Sequence, residues 1–445
     1  MMNTPICDFV RAYAEKDPLR LHMPGHKGFG ALGAEKLDIT EVSGADSLYE
    51  AKGIIRDSEE NASSLFGCHT FYSAEGSSLA IRAMLHLATC HARSEGRRPR
   101  IAAARNVHKT FLSAAALLDL DVDWLLHEAG GSYLAYPVTA EGLEKHFTKN
   151  GAPDAVYVTS PDYLGNLQDI GTLAKICHTH GVLLLVDNAH GAYLRFLPYA
   201  AHPMELGADL CCDSAHKTLP VLTGGAYLHI SHTHSALSRG AKDALSLFGS
   251  TSPSYLILQS LDAVNPYLEE TYPARLSEFV RLADGLKARL RERGMTLLGD
   301  EPLKLTIFAR PLGYTGGELA AFLENKNIIC EFADADHLVL MLTPEVGEAG
   351  LQRLENALAA LPEKGPLAAE APVFSLPKRA LGIREAMLAP AETVPAAEAC
   401  GRILAAASVG CPPAVPLVVS GEIIDADAAA AFAYYGITEC SVVKE

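Results

Sequence analysis

The chain has 445 residues with a hydrophobic fraction of 49% and a formal net charge of −16 at pH 7. Its length is enough for two or three domains around a large core, and its composition is that of a globular chain rather than a disordered one. The acidic balance argues against a general nucleic-acid or anionic-membrane surface, so we expect neither as a partner.

The cysteines and the N-terminus predict the compartment. Ten cysteines occur without a C-x-x-C pair or regular spacing, and Cys211 and Cys212 are adjacent on a predicted buried strand. This pattern predicts free thiols in a reducing cytoplasm and no metal site. Residues 1–17 carry charges without an apolar stretch of the signal-peptide type, and no apolar run approaches membrane-spanning length. We therefore predict a cytoplasmic protein.

The first fifty residues predict an arm. A short amphipathic helix over Asp8–Glu15 is followed by a loop rich in Gly, Pro and His over Leu21–Gly28. The stretch Leu37–Leu48 continues without strong periodicity. Such an arm lies either across another surface, for example a partner subunit, or forms a long loop of its own.

Strand–helix units follow, and the first contains a candidate phosphate site. A strand over Thr70–Ala74 leads into Gly76, Ser77 and Ser78, which open a helix over Leu79–His91. Free backbone N–H groups, the helix dipole and two hydroxyl groups converge at such a helix start and favour an anion. The alternative is an ordinary serine N-cap.

Two further strand ends carry polar residues. The strand Arg100–Ala104 leads to His108, at a turn where α/β folds place ligand contacts, so its imidazole could stack on an aromatic cofactor. The apolar strand Val182–Val186 ends in Asp187. A carboxylate at the tip of a buried strand is costly unless it meets a cation such as a pyridinium N–H. The alternative for His108 is a structural histidine, and the alternative for Asp187 is a structural cap.

A lysine follows the next strand, Ala208–Cys212. Lys217 stands three residues after Ser214 and directly after His216. Desolvation lowers a lysine's pKa, and the neutral amine condenses with an aldehyde, while Ser214 and His216 could bind a neighbouring phosphate. A surface lysine is the alternative. The combined order of phosphate site, ring-stacking histidine, strand-tip aspartate and strand-end lysine matches the needs of a pyridoxal-phosphate (PLP) enzyme.

The second half changes rhythm. A long helix over Leu256–Leu290, broken near Pro266 and Pro273, precedes a small α+β domain in which Ile328–Phe332 is a predicted strand. An Ala-rich helix is predicted over Ala396–Ala407. The predicted organisation is an N-terminal arm (1–50), a PLP-binding large domain (51–295), a small α+β domain (296–362), a linker (363–377) and a C-terminal domain (378–445).

Motifs that carry a family resemblance run along nearly the whole chain. They are LHMPGHKG (21–28), DITEVSGADSL (38–48), EGSSLA (75–80), RNVHKT (105–110), VDNAHG (186–191), DSAHKTLP (213–220), STSPSY (250–255) and PPAVPLVVSGE (412–422). Together they resemble the decarboxylases of ornithine, lysine and arginine, in their short bacterial form without an N-terminal wing domain. This resemblance implies an α/β, fold-type I large domain with a mostly parallel sheet, a small α+β domain and a family-specific C-terminal domain.

The resemblance also implies residue roles. Lys217 would bind the cofactor's aldehyde, Asp187 would pair with its ring nitrogen, and His108 would stack on its ring. His190 would lie near the cofactor or substrate. The phosphate would be held by a set that includes residues given to the neighbouring subunit of a homodimer, or of an assembly of dimers: Gly76, Ser77, Ser78, Ser214, His216, Thr251 and Ser252.

The reaction implied is decarboxylation of a basic amino acid in polyamine biosynthesis. The distal cation of the substrate needs a carboxylate, and Glu422, Asp46 and Glu331 are candidates. Some positions depart from the family pattern: Asn188 stands where Glu is frequent, and Ala45 and Ala414 also differ, which leaves the choice among arginine, lysine and ornithine open. A catalytically silent PLP-binding paralogue, or an aminotransferase or lyase on the same fold, are the alternative functions.

Overall fold

The computed structural model describes residues 2–125, 132–368, 372, 376–407 and 415–444. The helices are α1 (Pro5–Glu15), α2 (Ile54–Phe66), α3 (Gly76–Ser94), α4 (Lys109–Leu118), α5 (Ala140–Asn150), α6 (Ile170–Thr179), α7 (Ala215–Thr218), α8 (Ser235–Arg239), α9 (Ala241–Ser246), α10 (Tyr255–Glu270), α11 (Tyr272–Glu292), α12 (Gly316–Glu324), α13 (Gly347–Ala359), α14 (Ile383–Leu388) and α15 (Ala426–Tyr434).

The strands are β1 (His69–Ser73), β2 (Arg100–Ala103), β3 (Asp121–Trp124), β4 (Ala155–Thr159), β5 (Leu183–Asp187), β6 (Leu210–Asp213), β7 (Ala226–Ile230), β8 (Thr296–Leu298), β9 (Lys304–Phe308), β10 (Phe332–Ala333), β11 (His337–Met341), β12 (Ala391–Pro395) and β13 (Glu439–Val443). They belong to two compact units, the first made of Met1–Arg97 and Leu183–Ser277, the second of Arg98–Val182 and Glu278–Glu445.

In the first unit the strands run in the order β1-β7-β6-β5. β5 and β6 are parallel, with Leu185 opposite Leu210, whereas β7 is antiparallel to both of its neighbours. Every residue of β5 and β6 is buried, as expected for central strands covered on both faces. Because β5 and β6 are parallel, their carboxyl ends meet at one edge, and the residues that follow them become neighbours.

Helix α3 covers this part of the sheet. Its buried side, which includes Leu79, Ala83, Met84 and Leu87, recurs at helical spacing and packs against β6 and β7. The strand–turn–helix passage from β1 to α3 requires Gly76, whose φ of +70° favours glycine.

The second unit contains three strand groups. β4, β2 and β3 are parallel in that order, with Ile101 opposite Ala155. β10, β11, β9 and β8 form an antiparallel sheet, and β12 pairs with β13. The α/β class is therefore confirmed, with parallel pairing among the strands that alternate with helices.

Some predicted elements are wrong. Ile328–Phe332 is not a strand, because only Phe332 and Ala333 pair with β11. The Ala-rich stretch 396–407 is not a helix: after a 3-10 turn, Ile403 and Leu404 pair with Ile423 and Val442. Gly401, with a φ of +87°, turns the chain between the 3-10 turn and the paired residues. Tertiary pairing therefore overrides alanine's helix propensity in this stretch.

Of the two predicted breaks in the long helix, the one near Pro273 is confirmed and the one near Pro266 is wrong. α10 runs through Pro266, and the break falls at Thr271. Pro273 lies in the first turn of α11, where its missing N–H has no helical partner to lose. Within the described residues, no helix combines the length and apolar character needed to cross a bilayer. The predicted domain boundaries stay a prediction, and linker residues 369–371 and 373–375 lie outside the described residues.

Candidate active site

Two turns come together at the carboxyl edge of the first unit. They are the β5 turn, Asp187 to Gly191, and the β6 turn, Asp213 to Lys217. β6 ends at the buried Asp213, and α7 begins at once and carries Lys217. Lys217 Nζ lies 2.9 Å from Nε2 of His190, a residue on the turn after β5. Two residues that sequence reasoning named separately are thus in contact, and the amine has a titratable partner.

Two residues of the predicted phosphate site, Ser77 and Ser214, are in contact with each other. Ser214 Oγ donates a hydrogen bond to Ser77 Oγ over 2.7 Å, which joins the β6 turn to the first turn of α3. The residue that precedes α3, Glu75, makes no side-chain cap, so the dipole and amides of a 19-residue helix favour an anion there. Ser78 belongs to the same first turn.

His216 and Gly76 lie next to each other at the start of α3. A Cβ added at Gly76 would lie 3.9 Å from Cε1 of His216, and the Gly76 N–H donates to the carbonyl of Gly224 over 2.7 Å. His216 Nδ1 lies 3.0 Å from the carbonyl oxygen of Gly225. Burial, followed by the charge of Lys217, lowers the pKa of His216, although the Gly225 carbonyl opposes the shift.

Asp187 ends β5 with only 2% of its surface exposed. Its Oδ1 accepts hydrogen bonds from the Ala189 N–H over 3.2 Å and from the Cys212 thiol over 3.6 Å. Neither of these two donors carries a charge. An amine, a helix start without a side-chain cap and a buried carboxylate therefore occur on one edge, and this donor set fits PLP.

The segment with Thr251 and Ser252 also reaches the start of α3. The Ser250 N–H donates to Glu75 over 2.6 Å, directly before Gly76. Thr251 and Ser252 themselves are exposed. Their predicted role in a neighbouring subunit's phosphate site stays a prediction.

His108 lies in the second unit, half-buried at the N-cap of α4. Its Nδ1 accepts a hydrogen bond from the Thr110 N–H over 3.2 Å and lies 2.9 Å from the Thr110 hydroxyl oxygen. The ring orientation is therefore fixed locally, by the structural contact that the sequence left open as an alternative. Stacking of this ring on a cofactor stays a prediction.

Glu422, a candidate for the substrate's cation, already has a cationic partner. Its Oε2 lies 2.7 Å from Nη2 of Arg105 and accepts the Val419 N–H over 2.8 Å. Burial raises the pKa of the Glu422 carboxyl and lowers that of Arg105, while each partner opposes the other's shift. The guanidinium also lies 4.9 Å from the Trp124 ring centroid. Sequence reasoning missed Arg105, although it opens the RNVHKT motif; residues 412–414 of the neighbouring motif lie outside the described residues.

The other two candidates for the substrate's cation, Asp46 and Glu331, differ in their hydrogen bonds and exposure. Asp46 accepts backbone N–H groups from Ser47, Gly53 and Ile55 over 2.8–3.1 Å, so it caps the loop that enters α2. Burial raises the pKa of Asp46, but these amides and that of Lys52 outweigh it and lower the pKa. Glu331, by contrast, is exposed, and its described contact is the Tyr163 hydroxyl, which donates over 3.3 Å.

Glu331 lines a hollow of about 290 Å³ on the second unit. The hollow combines two carboxylates with apolar walls, a composition that suits an aliphatic cation. Its lining residues are Ala320, Glu324, Ile328, Ile329, Cys330, Glu331, Phe332 and Ala333.

A buried group around Asp213 was also missed by sequence reasoning. Asp213 Oδ2 lies 3.0 Å from Nε2 of His202 and 3.1 Å from Nε2 of His229. His202, Cys211 and Asp213 are close enough to hold a metal ion. However, His202 Nδ1 accepts the Met204 N–H, so its proton lies on Nε2 and is donated to Asp213. That nitrogen has no lone pair for a metal, which makes this a hydrogen-bonded group. The nine cysteines among the described residues are all free.

Comparisons with known proteins identify the family. The family model "Orn/Lys/Arg decarboxylase, major domain" matches residues 4–298, and the model of that family's C-terminal domain matches residues 373–442. Arginine decarboxylase of Bacillus subtilis (strain 168) is 29% identical over 455 residues, covering 95% of this chain and 91% of the relative. Arginine decarboxylase of Halalkalibacterium halodurans shows the same identity and coverage over 463 residues.

Solved structures give the fold. The Francisella novicida lysine decarboxylase LdcF superposes with a TM-score of 0.80 at 18% identity, over 100% of this chain and 81% of that one. The Escherichia coli constitutive lysine decarboxylase gives 0.77 at 17%, over 100% and 82%. These values confirm the fold-type I prediction. Since the major-domain model alone spans well over half of the sequence, the chain belongs to the Orn/Lys/Arg decarboxylase family and is a PLP-dependent decarboxylase.

Proposed function

We propose that this protein removes the α-carboxylate of a basic amino acid, with arginine as the first candidate substrate. The observation that carries the proposal is the contact of 2.9 Å between Lys217 Nζ and His190 Nε2, beside the Ser214–Ser77 hydrogen bond at the start of α3. Arginine is favoured because relatives that match 95% of this chain bear the name arginine decarboxylase. A cytoplasmic location and a place in polyamine biosynthesis are further proposals from the sequence.

The residues present would hold PLP in distinct ways. Ser77, Ser214 and the start of α3 would bind its phosphate, Lys217 its aldehyde carbon, and Asp187 its ring nitrogen; Ser78, His216 and Gly76 border the same phosphate site, and His108 would stack on the ring. Bound PLP would supply a sink for the electron pair that stays behind when carbon dioxide leaves. A carboxylate against the ring nitrogen retains a proton there and strengthens that sink.

Proton transfer falls to the contact between Lys217 and His190. An amine and an imidazole 2.9 Å apart can exchange a proton directly. Lys217 must be a neutral amine to bind an aldehyde, and His190 is in position to take its proton. The same pair would return a proton to the substrate's α-carbon after carbon dioxide has left.

Among the three candidates for the distal cation, we assign Glu331. Glu422 is buried against Arg105, and Asp46 is saturated by backbone amides, whereas Glu331 is exposed and borders an apolar hollow. Glu331→Gln should raise KM for the substrate about tenfold or more, because a neutral amide leaves the cation unpaired. Glu324→Gln, at the other glutamate that lines the same hollow, is the matched control and should change KM less. Equal effects would contradict the assignment.

A homodimer with shared sites is proposed as the active unit. The arm exposes several large apolar side chains, which water disfavours and a second copy would cover. They are Leu19 (84%), Leu21 (84%), Met23 (63%), Phe29 (87%) and Leu32 (91%). Thr251 and Ser252 are exposed as well, as a contribution to a neighbouring site requires.

The direct test measures carbon dioxide release from arginine, lysine and ornithine with purified protein and added PLP. Release from arginine above the other two is expected, and borohydride reduction followed by peptide mapping should place the cofactor on Lys217. Keto-acid formation instead would indicate an aminotransferase. Cofactor uptake without any turnover would indicate a silent paralogue, and a colourless protein that takes up no PLP would refute the proposal.

A further inference from the structure

Two turns at the carboxyl edge of the first unit carry the reacting groups, and three contacts hold them together. The β5 turn spans Asp187 to Gly191, and the β6 turn spans Asp213 to Lys217. The Asn188 N–H donates to the Cys212 carbonyl over 3.0 Å, Asn188 Nδ2 donates to Asp213 Oδ1 over 2.7 Å, and Lys217 Nζ meets His190 over 2.9 Å. The middle contact joins two side chains that are both fully buried.

The Asp213 carboxylate is the centre of that buried contact. Its second oxygen accepts N–H groups from His202 and His229, and the Cys211 thiol lies 3.6 Å from Oδ1. His229 is in turn anchored by Thr70 on β1, at 3.0 Å from its Nδ1. Asp213 therefore ties the end of β6 to β7, to the loop at His202 and to the β5 turn.

We propose that Asp213 is a positioning residue of the decarboxylase site, and that it acts through Asn188. The pair fixes the β5 turn against the β6 turn, and so sets Asp187 and His190 relative to Ser214 and Lys217. This inference rests on the proposed function. Asn188 and Asp213 would thus position the residues that bind the cofactor, without contacting the substrate themselves.

The identity of residue 188 supports the pairing. A carboxylate at 188 would face the Asp213 carboxylate at hydrogen-bond distance in a buried place, which is strongly unfavourable. An amide supplies the N–H donor that Asp213 requires. Gly191 makes room for it, because a Cβ at 191 would collide with Asn188 Oδ1. Asn188 and Asp213 are thus a matched donor and acceptor.

The test is a double-mutant cycle with Asn188→Asp, Asp213→Asn and the swapped double variant. Asn188→Asp places two carboxylates together and should lower kcat about 100-fold. The swap restores one amide and one carboxylate, and it should recover about tenfold or more of that loss. The same order is expected for the urea midpoint of the apoprotein, which needs neither cofactor nor substrate.

Asp209→Asn is the matched control. Asp209 is a buried aspartate just before β6, at the end away from Lys217, and it also binds a histidine, His234, over 2.7 Å. Both Asp209→Asn and Asp213→Asn should lower the urea midpoint. Only Asp213→Asn should weaken PLP binding about tenfold, alter the visible circular dichroism of bound PLP and lower kcat more than it changes KM.

Several outcomes would overturn the inference. Wild-type kcat and dichroism in a PLP-loaded Asp213→Asn protein would show a purely structural role for Asp213. If the fold-loss of kcat in the swapped variant equals the product of the fold-losses in the two single variants, Asn188 and Asp213 do not act as a pair. If Asn188→Asp fails to fold, the comparison of Asp213→Asn with Asp209→Asn decides alone. Absence of decarboxylation in the wild-type protein would instead refute the proposed function, while the dichroism and PLP affinity still report on Asp213.

Discussion

Replacing Glu422 with glutamine separates a structural role from a substrate-binding role. The change keeps the shape of the side chain but removes the charge that lies 2.7 Å from Arg105, where the two side chains are 3% and 5% exposed. Removing one partner of a buried ion pair costs about 3–5 kcal/mol because the other charge stays buried. Arg105 keeps the Leu417 carbonyl at 3.3 Å and the Trp124 ring, so we expect about 3 kcal/mol.

The measurement uses the protein's only tryptophan. Trp124 lies under Arg105, so its fluorescence during urea unfolding follows the part of the chain that contains the pair. Glu392→Gln is the control: Glu392 pairs with Arg402 over 2.6 Å, but its side chain is 41% exposed, and such pairs contribute about 0–1 kcal/mol.

The opposite pattern would refute the reasoning. If Glu422→Gln unfolds like the wild-type protein, the buried pair does not stabilise this part of the chain. If KM for the basic amino acid then rises about tenfold at unchanged stability, Glu422 binds the substrate and the assignment to Glu331 is wrong.

Three further predictions concern the first unit. Asp187→Asn should still bind PLP but lose about two orders of magnitude in single-turnover carbon dioxide release, and near-normal release would reject its electronic role. Because amides lower the pKa of Asp46 despite its burial, its carboxylate should stabilise the fold above its unfolded pKa of 3.8 and lose this effect as the pH falls; the stability gap between wild type and Asp46→Asn should therefore close at acid pH, and a gap that widens there would contradict this. Mixing Lys217→Ala with a Thr251→Ala/Ser252→Ala protein should restore part of the activity through hybrid sites, whereas a fully active monomer in sedimentation would exclude shared sites.

The strand ends could be predicted from the sequence because their neighbours follow from a general rule. Parallel strands with apolar cores bring the residues after them to one edge, which predicts that Asp187 lies near Ser214 and Lys217. The position of His190 follows from the family resemblance instead. The start of α3 was recognisable because glycine and hydroxyl residues directly precede an apolar helical repeat. Contacts that depend on one side chain reaching another, such as Lys217 with His190, needed coordinates.

Partners far apart in the chain could not be predicted. Glu422 and Arg105 are separated by 317 residues, and no periodicity links them. Asp46 is a candidate ligand from the sequence alone, because its backbone conformation, with a φ of +67°, cannot be read from the sequence. That conformation turns the carboxylate toward the amides of the following loop.

Asp187 and Asp213 look alike in the sequence, since each ends a buried strand and precedes a polar turn. Their surroundings separate their roles. Burial alone would raise the pKa of Asp213, but His202 and His229 outweigh it and hold that pKa well below its usual range. A carboxylate held ionised in this way cannot exchange protons near neutral pH. We therefore propose that proton transfer at this edge uses Lys217 and His190, whose Nζ and Nε2 lie 2.9 Å apart, while Asp213 remains a fixed charge.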